Sequence, residues 1–445
     1  MLRLSGPLVL AELGWMSMAI VDTMMVGRLP NSAEAIGAVS IGSVIFVTAA
    51  FFGGGVLLGL DTLVSQAFGA GKVEDCHRSL LSGLYLSLVL SPILMGLVWL
   101  TIPFLGRLGI HPAVLRGAIP FLRALNWSTF PLLASFAFRR YLQGMGLVKP
   151  VTFALISANL VNAVGNWILI YGKLGAPAMG VAGSGWSTFA SRVYMALVLL
   201  GYILYYDHRH KIGIREMPFQ PELARIGLLL RLGLPAALQI SLEIAVFAVA
   251  TALIGKLDPV SLAAHQIALN TVSLTFMVPL GISSAAAVRV GQALGRRDIE
   301  GAARSGWTAI SLGAGFMFCA ALGLWLFPRP IARLYTPNEA VLKTSALLLF
   351  VAAFFQPFDG IQSVATGALR GAGDTRTPML SHLAAYWFIG LSLGYFLCFR
   401  RSWGATGLWV GLCLALILIG LVLLLAWRRR VQGFSALAFS PFESA

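Results

Sequence analysis

Charge is what this chain has least of. Asp, Glu, Lys and Arg together make up 11% of its 445 residues, and only 17 are acidic. An average soluble domain is about 25% charged. Apolar residues reach 58%. Five stretches, 35–60, 79–106, 150–172, 305–328 and 402–427, hold no charged residue. About 20 apolar residues cross a bilayer as a helix, because only a helix or a closed barrel pairs its own backbone polar groups there. These runs exclude a soluble globular fold. They predict an all-α polytopic membrane protein.

Other absences narrow the function. The four cysteines, Cys76, Cys319, Cys398 and Cys413, show no metal-ligand spacing and read as free thiols. No G-x-x-x-x-G-K-[ST] occurs, which argues against an ATP-driven pump on this chain. No nucleophile–base pair stands out, so an enzyme is not expected, and neither is a cofactor. The net charge of +15 is scattered between apolar runs, so membrane lipid rather than nucleic acid is the expected partner. The first apolar segment runs on past Asp22 without a small-residue cleavage site and reads as a retained span.

Twelve helices are expected at 6–27, 36–59, 79–105, 118–140, 150–171, 179–206, 230–255, 261–288, 304–327, 344–370, 377–399 and 404–427. With the N-terminus inside, twenty Lys and Arg fall in inner segments and eleven in outer ones, while Arg192 lies within a span. That bias places both termini in the cytoplasm.

The chain also repeats itself. Arg3-Leu4-Ser5-Gly6-Pro7 aligns with Arg231-Leu232-Gly233-Leu234-Pro235, and Gln66-Ala67-Phe68-Gly69 with Gln292-Ala293-Leu294-Gly295. Leu142-Gln143-Gly144-Met145-Gly146 aligns with Leu369-Arg370-Gly371-Ala372-Gly373. Such matches, in order and at nearly constant offset, indicate two homologous halves. Six helices in each half, an even number, make both halves enter the membrane in the same sense, related by an axis along its normal. The expected division is a first lobe at 1–206, a cytoplasmic linker at 207–229, a second lobe at 230–430 and a short tail at 431–445.

Against this background a few polar residues stand out. Asp22, Glu243 and Asp359 each sit inside an apolar run. A charge at membrane depth costs about 2.5–3.5 kcal/mol on insertion scales, and chains that keep one generally use it to move an ion, a proton or a charged ligand. Asn159, Asn162 and Asn166 fall at i, i+3 and i+7, on one helix face. With Asp22 they offer oxygen ligands to a hard cation; alternatively the asparagines tie helices together. Pro357 and Gly360 flank Asp359 and predict a weakened helix there. Glu12 lies ten residues before Asp22, about 15 Å along a helix axis, either lining the same cavity or reaching for the inner interface. Arg192 could neutralise a carboxylate in the first half. His265 and His382 read as hydrogen-bonded helix histidines before relay groups.

Several stretches resemble the multidrug and toxic compound extrusion (MATE) family, and within it the NorM branch. They are Val21-Asp22-Thr23-Met24, the run Asn166-Trp167-Ile168-Leu169-Ile170-Tyr171-Gly172, Arg231-Leu232-Gly233-Leu234-Pro235 with Glu243, Ala263-Ala264-His265-Gln266-Ile267-Ala268-Leu269-Asn270, and Asp359 leading into Ala368-Leu369-Arg370-Gly371. The resemblance implies twelve helices in two six-helix lobes arranged as a V. It implies export of bulky, often cationic organic compounds and drugs by alternating access, in exchange for Na⁺ or H⁺. It assigns Glu243 and Asp359 to ion coupling in the second lobe, and Asp22, Asn162 and Asn166, with Thr188, to the polar cluster of the first. Na⁺ would then sit at either group. Glu12 departs from the family pattern and adds a possible second protonation site. The implied setting is a bacterial inner membrane, and the implied state is monomeric. The runner-up reading is a flippase for lipid-linked saccharides of the same superfamily; a passive channel would differ in transporting without coupling.

Overall fold

The computed structural model describes residues 1–108, 110–214 and 220–438. All regular structure among them is helical. In chain order the helices are α1 (Leu2–Val26), α2 (Ser32–Leu57), α3 (Gly59–Gly69), α4 (Val73–Leu105), α5 (Pro112–Asn126), α6 (Thr129–Gly144), α7 (Val148–Tyr171) and α8 (Val181–His210). There follow α9 (Leu223–Ile254), α10 (Pro259–Gly295), α11 (Ile299–Leu326), α12 (Pro328–Arg333), α13 (Glu339–Gly371), α14 (Arg376–His382), α15 (Leu391–Tyr395) and α16 (Gly404–Ala438). Eleven helical stretches among the described residues are long and apolar enough to cross a membrane. The segment 431–438, expected as part of a tail, continues α16; residues 439–445 of that tail and 215–219 of the expected linker lie outside the described residues.

Starts and stops follow local chemistry. Asp258, Asp298 and Asn338 cap α10, α11 and α13 by accepting backbone N–H bonds from Ser261, Gly301, and Ala340 with Val341. The Asp258 carboxyl, outside the membrane, is held below its ordinary range by the Ser261 hydroxyl and N–H. Gly172 ends α7 at φ +67°, a left-handed conformation that glycine adopts without strain.

Three local departures from expectation have physical causes or consequences. The span expected at 118–140 is two helices, α5 and α6, interrupted at Trp127–Ser128. Pro131 explains the interruption: it has no N–H for the carbonyl of Trp127, and its ring crowds that carbonyl. The expected weakening beside Asp359 does not occur, since α13 runs unbroken through Pro357 and Gly360. Neighbouring helices make such prolines tolerable in membrane spans. The span expected at 377–399 is helical but irregular, with π-helical turns at Leu383–Gly390 and Phe396–Arg400. Such wider turns recur at functional sites.

The described chain divides into two compact units, one of residues 10–237 and the other of residues 1–9 with 238–445. In the first, α7 packs on α8, α5 on α2 and α8, and α6 on α4. The polar stretch expected as a linker is fastened to α4 of this unit. His77 Nε2 lies 3.0 Å from the Ile212 carbonyl, Arg78 pairs with Glu222 at 3.0 Å, and Arg225 with Asp75 at 2.7 Å.

In the second unit α13 is the central helix, packed on α10, α11 and α16. Small residues let the backbones approach closely. Gly367 and Gly371, four apart on α13, face Ser283 and Ala287, four apart on α10. A Cβ at Gly367 would lie 2.2 Å from the Ser283 carbonyl oxygen, and one at Gly371 would lie 2.4 Å from that of Ala287. Gly407 and Gly411 of α16 serve the irregular span in the same way, through Leu397, Gly390 and Gly394. Such small-residue spacing drives helix association where lipid offers no hydrophobic gain. Gly367→Ala is expected to destabilise the protein by about 1–3 kcal/mol, the range for forcing added atoms into a packed interface. A fall in the thermal midpoint of the detergent-purified protein would register it; an unchanged midpoint would show that the helices part without penalty.

Candidate functional site

Two polar clusters lie inside these apolar helices, one in each unit. In the first unit the carboxylate of Asp22 on α1 meets α7 and α8. Its Oδ1 accepts from Asn166 Nδ2 at 2.6 Å and its Oδ2 from the Thr188 hydroxyl at 3.2 Å. Asn166 also donates to Asn162 Oδ1 at 3.2 Å, and Asn162 donates to Thr188 at 3.3 Å. All four side chains are buried. They come together because Asn162 and Asn166 are one helical turn apart and α7 packs directly on α8. Asn166 Oδ1 is buried without a hydrogen-bond partner. A carboxylate beside an unpartnered amide oxygen is a set of hard oxygen donors, which suits Na⁺ or a proton as cargo. Asn159 stands apart, donating to the Gly14 carbonyl at 2.9 Å and accepting from Ser17, so it fastens α7 to α1.

The other first-unit residues have different partners. Arg192 donates to the Ser128 hydroxyl at 2.5 Å and lies 4.6 Å over the ring of Phe46, at the break between α5 and α6. Glu12 does not share the Asp22 cluster: it forms a buried ion pair with Arg139 of α6. A second buried carboxylate, Asp61 on α3, pairs with Arg140 at 3.4 Å. Asp61 escapes a reading of the sequence that looks only inside the long charge-free runs, because it sits one residue beyond the first. Its setting, Leu58-Gly59-Leu60-Asp61-Thr62-Leu63, is nevertheless apolar.

In the second unit Glu243 on α9 and Asp359 on α13 are joined through side chains that the sequence did not single out as a site. Asp359 Oδ1 accepts from Gln362 Nε2 at 3.0 Å. Gln362 Oε1 lies 3.0 Å from His382 Nε2, which lies 3.8 Å from Glu243 Oε2. Gln239 completes the set, with its Nε2 3.4 Å from the same ring nitrogen. Tyr386, one turn beyond His382, is buried with its hydroxyl unpartnered and lies within electrostatic reach of both carboxylates. The signal for His382 and Tyr386 was i, i+4 spacing in a span that holds few other polar groups.

His265, the other histidine considered, is placed differently. Trp409 Nε1 donates to its Nδ1 at 3.0 Å and Thr251 lies 2.8 Å from its Nε2. Both nitrogens are satisfied without a carboxylate, so His265 ties α10 to α9 and α16. Among the described residues no three His, Cys, Asp or Glu side chains form a group able to hold a metal ion. The oxygen donors of both clusters include amides and hydroxyls, which suit a monovalent cation held weakly enough to be released.

The MatE family model matches the chain twice, over residues 7–168 and 235–396. The two matches start 228 residues apart, the offset at which the halves of the sequence align. The chain is 34% identical over 445 residues to a probable multidrug resistance protein NorM of Mesorhizobium japonicum, covering 98% of this chain and 95% of that protein. It is 34% identical over 434 residues to the protein of the same name from Pseudomonas aeruginosa, covering 96% and 88%. The fold is that of a MATE crystal structure in the bent conformation, at TM-score 0.88 and 19% identity over 99% of this chain and 96% of that one. It is likewise that of the eukaryotic MATE transporter AtDTX14, at TM-score 0.86 and 20% identity over 98% of each. A duplicated model match, near-full-length relatives and a shared fold agree: the chain belongs to the MatE family of multi-pass membrane transporters and is not an enzyme.

Proposed function

We propose that this chain exports bulky, often cationic organic compounds from the cell in exchange for Na⁺ or H⁺. Its place would be a bacterial inner membrane, with both termini cytoplasmic and a single chain as the working unit among membrane lipids. The observation that carries the reading is the state of Asp22, Glu243 and Asp359. All three lie within membrane-spanning helices, and among the described residues none has a Lys or Arg within ion-pair distance. Arg192 lies within electrostatic reach of Asp22, whereas among the described residues Glu243 and Asp359 have no such cation near them. A carboxylate left without a fixed counter-charge at that depth is stabilised by whatever cation reaches it, so its occupancy reports the ion gradient. The multidrug names of the NorM relatives supply the class of cargo.

Alternating access follows if the cation and the drug favour different conformations. Each then changes the other's affinity by the same factor, and an ion gradient is converted into drug movement. Glu243 with Asp359 is the leading ion site, and Asp22 with Asn162, Asn166 and Thr188 the second ion or substrate site. A saccharide-lipid flippase fits less well. Such a cargo calls for several unpaired basic groups, whereas the buried Arg139 and the half-buried Arg140 are engaged by Glu12 and Asp61, and the buried Arg192 is held by the Ser128 hydroxyl and the Phe46 ring.

The test is dye movement in proteoliposomes holding the purified chain, with pH and membrane potential fixed and a Na⁺ gradient imposed. Uphill movement of an organic-cation dye is the expected result, driven by Na⁺ or, failing that, by a pH gradient at fixed Na⁺. Movement under neither gradient would overturn the coupled-export reading and bring the flippase forward. In the same assay Asp22→Asn is expected to slow driven movement about tenfold, within the usual range of a coupling free energy. A wild-type rate would leave Asp22 a structural residue.

A further inference from the structure

The first unit carries a cavity that shares no residue with the Asp22 cluster. Its volume is about 360 Å³, and it is lined by Trp99, Ile102 and Pro103 of α4, Arg123 of α5, and Trp127 at the end of α5. Trp127 stands at the break between α5 and α6, and its ring meets that of Trp99 edge-on, with centroids 6.0 Å apart. Beside it the buried Asn126 donates to the Met95 carbonyl at 3.1 Å. That bond fixes the end of α5 against α4, so the two walls of the cavity are held together.

The cavity lies at a definite depth. Trp99 follows Arg78, the last charged residue before a long uncharged run, by twenty-one residues, or about 31 Å of helix. The hydrocarbon layer is about 30 Å thick, so Trp99 lies where acyl chains meet head groups. Tryptophan is enriched at that level, because its ring suits the hydrocarbon and its N–H the polar layer. Three spans, Leu4–Val26, Ser32–Gly69 and Val73–Leu105, bring the chain here, which places the cavity in the leaflet opposite the N-terminus.

The lining offers donors and a positive charge. Arg123 is exposed, in the last turn of α5. A helical side chain leans toward its own N-terminus, and that of α5 follows the Leu105 end of α4. The guanidinium is thereby carried toward the head groups while its stem stays in the apolar layer. Among the described residues, neither this guanidinium nor the indole N–H of Trp99 or Trp127 has a hydrogen-bond or ion-pair partner in the protein. Three donor side chains line one cavity, and no acceptor side chain does. The surrounding charge has the same sign. On this side of the membrane the unit holds Arg28, Arg107, Arg116, Arg123 and Lys173 against one carboxylate outside the Asp22 cluster, Glu34.

We infer that this cavity binds an anionic glycerophospholipid, with the phosphate on Arg123 and the two indole N–H groups and the acyl chains against Ile102 and the tryptophan rings. Arginine presents a planar fork of donors that matches two phosphate oxygens. A free phosphate ion would meet the same donors but would gain nothing from the apolar walls. An organic cation is repelled by Arg123. The inference uses none of the residues assigned to ion coupling and does not depend on the export reading.

The test counts bound lipid. The whole chain, purified in detergent and stripped of lipid, is titrated with phosphatidylglycerol and followed by native mass spectrometry. Wild type is expected to bind one molecule more tightly than the rest. Arg123→Gln is expected to weaken that binding about tenfold or more, the usual loss when a hydrogen bond to a charged group goes, and Arg123→Lys to recover part of it. Equal binding by wild type and Arg123→Gln would overturn the site. Two comparisons need no variant. Diacylglycerol, which lacks the phosphate, is expected to bind about tenfold more weakly than phosphatidylglycerol; equal binding would overturn phosphate recognition. Inorganic phosphate in large excess is expected to leave the lipid bound. Displacement by phosphate would overturn the lipid assignment and make this a site for a free anion.

Discussion

Glu243→Gln and Asp359→Asn are each expected to cut gradient-driven efflux by at least about tenfold, while the amount of protein in the membrane stays the same. Both changes keep side-chain size and hydrogen-bonding capacity. Both remove the group that can take up a proton or balance Na⁺. Coupling between two ligands is typically worth about 1–3 kcal/mol, or about 5–150-fold, and that is what either change discards. Because Glu243 and Asp359 are joined through His382 and Gln362, the double variant should be little worse than either single one. Residues acting as one unit are strongly non-additive. Dye efflux from everted vesicles, normalised to immunoblot, measures the effect. Wild-type rates in both single variants would remove the second-unit acids from the coupling site. A double variant whose losses multiply would show that they act separately.

Arg139→Ala is expected to have the largest effect on stability, about 3–5 kcal/mol, the range for removing one partner of a buried ion pair. Glu12 and Arg139 are both buried, so the orphaned carboxylate has no water to turn to. Replacing both residues together, Glu12→Gln with Arg139→Met, should restore most of the loss, because a neutral pair has no charge to strand. The thermal midpoint of the detergent-purified protein and its recovery as a single size-exclusion peak provide the comparison. A single variant as stable as wild type would show the pair to be hydrated. A double variant as unstable as the single would trace the loss to the packing of the arginine stem.

Much of this was legible in the sequence, for reasons that differ between residues. The spans could be read because a bilayer fixes how many apolar residues a helix needs. The Asp22 cluster was half legible: Asn162 and Asn166 are a helical turn apart, so one coordinate along one helix suffices. Thr188 came only with the family resemblance, because no local pattern encodes the α7–α8 packing that brings it to Asp22. The same limit hid the site role of His382, which lies 139 residues from Glu243 and meets it only because α14 packs beside α9. The sequence leaves Glu12 open between lining the Asp22 cavity and reaching for the inner interface, and no local pattern selects Arg139 as its partner. Their pairing was within reach, but not determined, until the chain between them was traced. Prolines misled in both directions. Pro131 breaks its span where a helix was expected, and Pro357 sits inside one where weakening was expected. What decides between these outcomes is whether neighbouring helices hold the strained turn, which is a tertiary fact.

The duplicated family match has a consequence for how the two halves divide their labour. At the 228-residue offset, Asp22 falls opposite Ala250, and Glu243 falls opposite Trp15. Neither acid has an acidic counterpart in the other copy. The repeat is therefore a symmetry of scaffold and not of chemistry. An ancestor made of two identical halves would have carried each set of acids in both halves or in neither. Today's chain keeps one set per half, so a tandem of two first halves would have doubled the Asp22 cluster and lost the histidine-linked one.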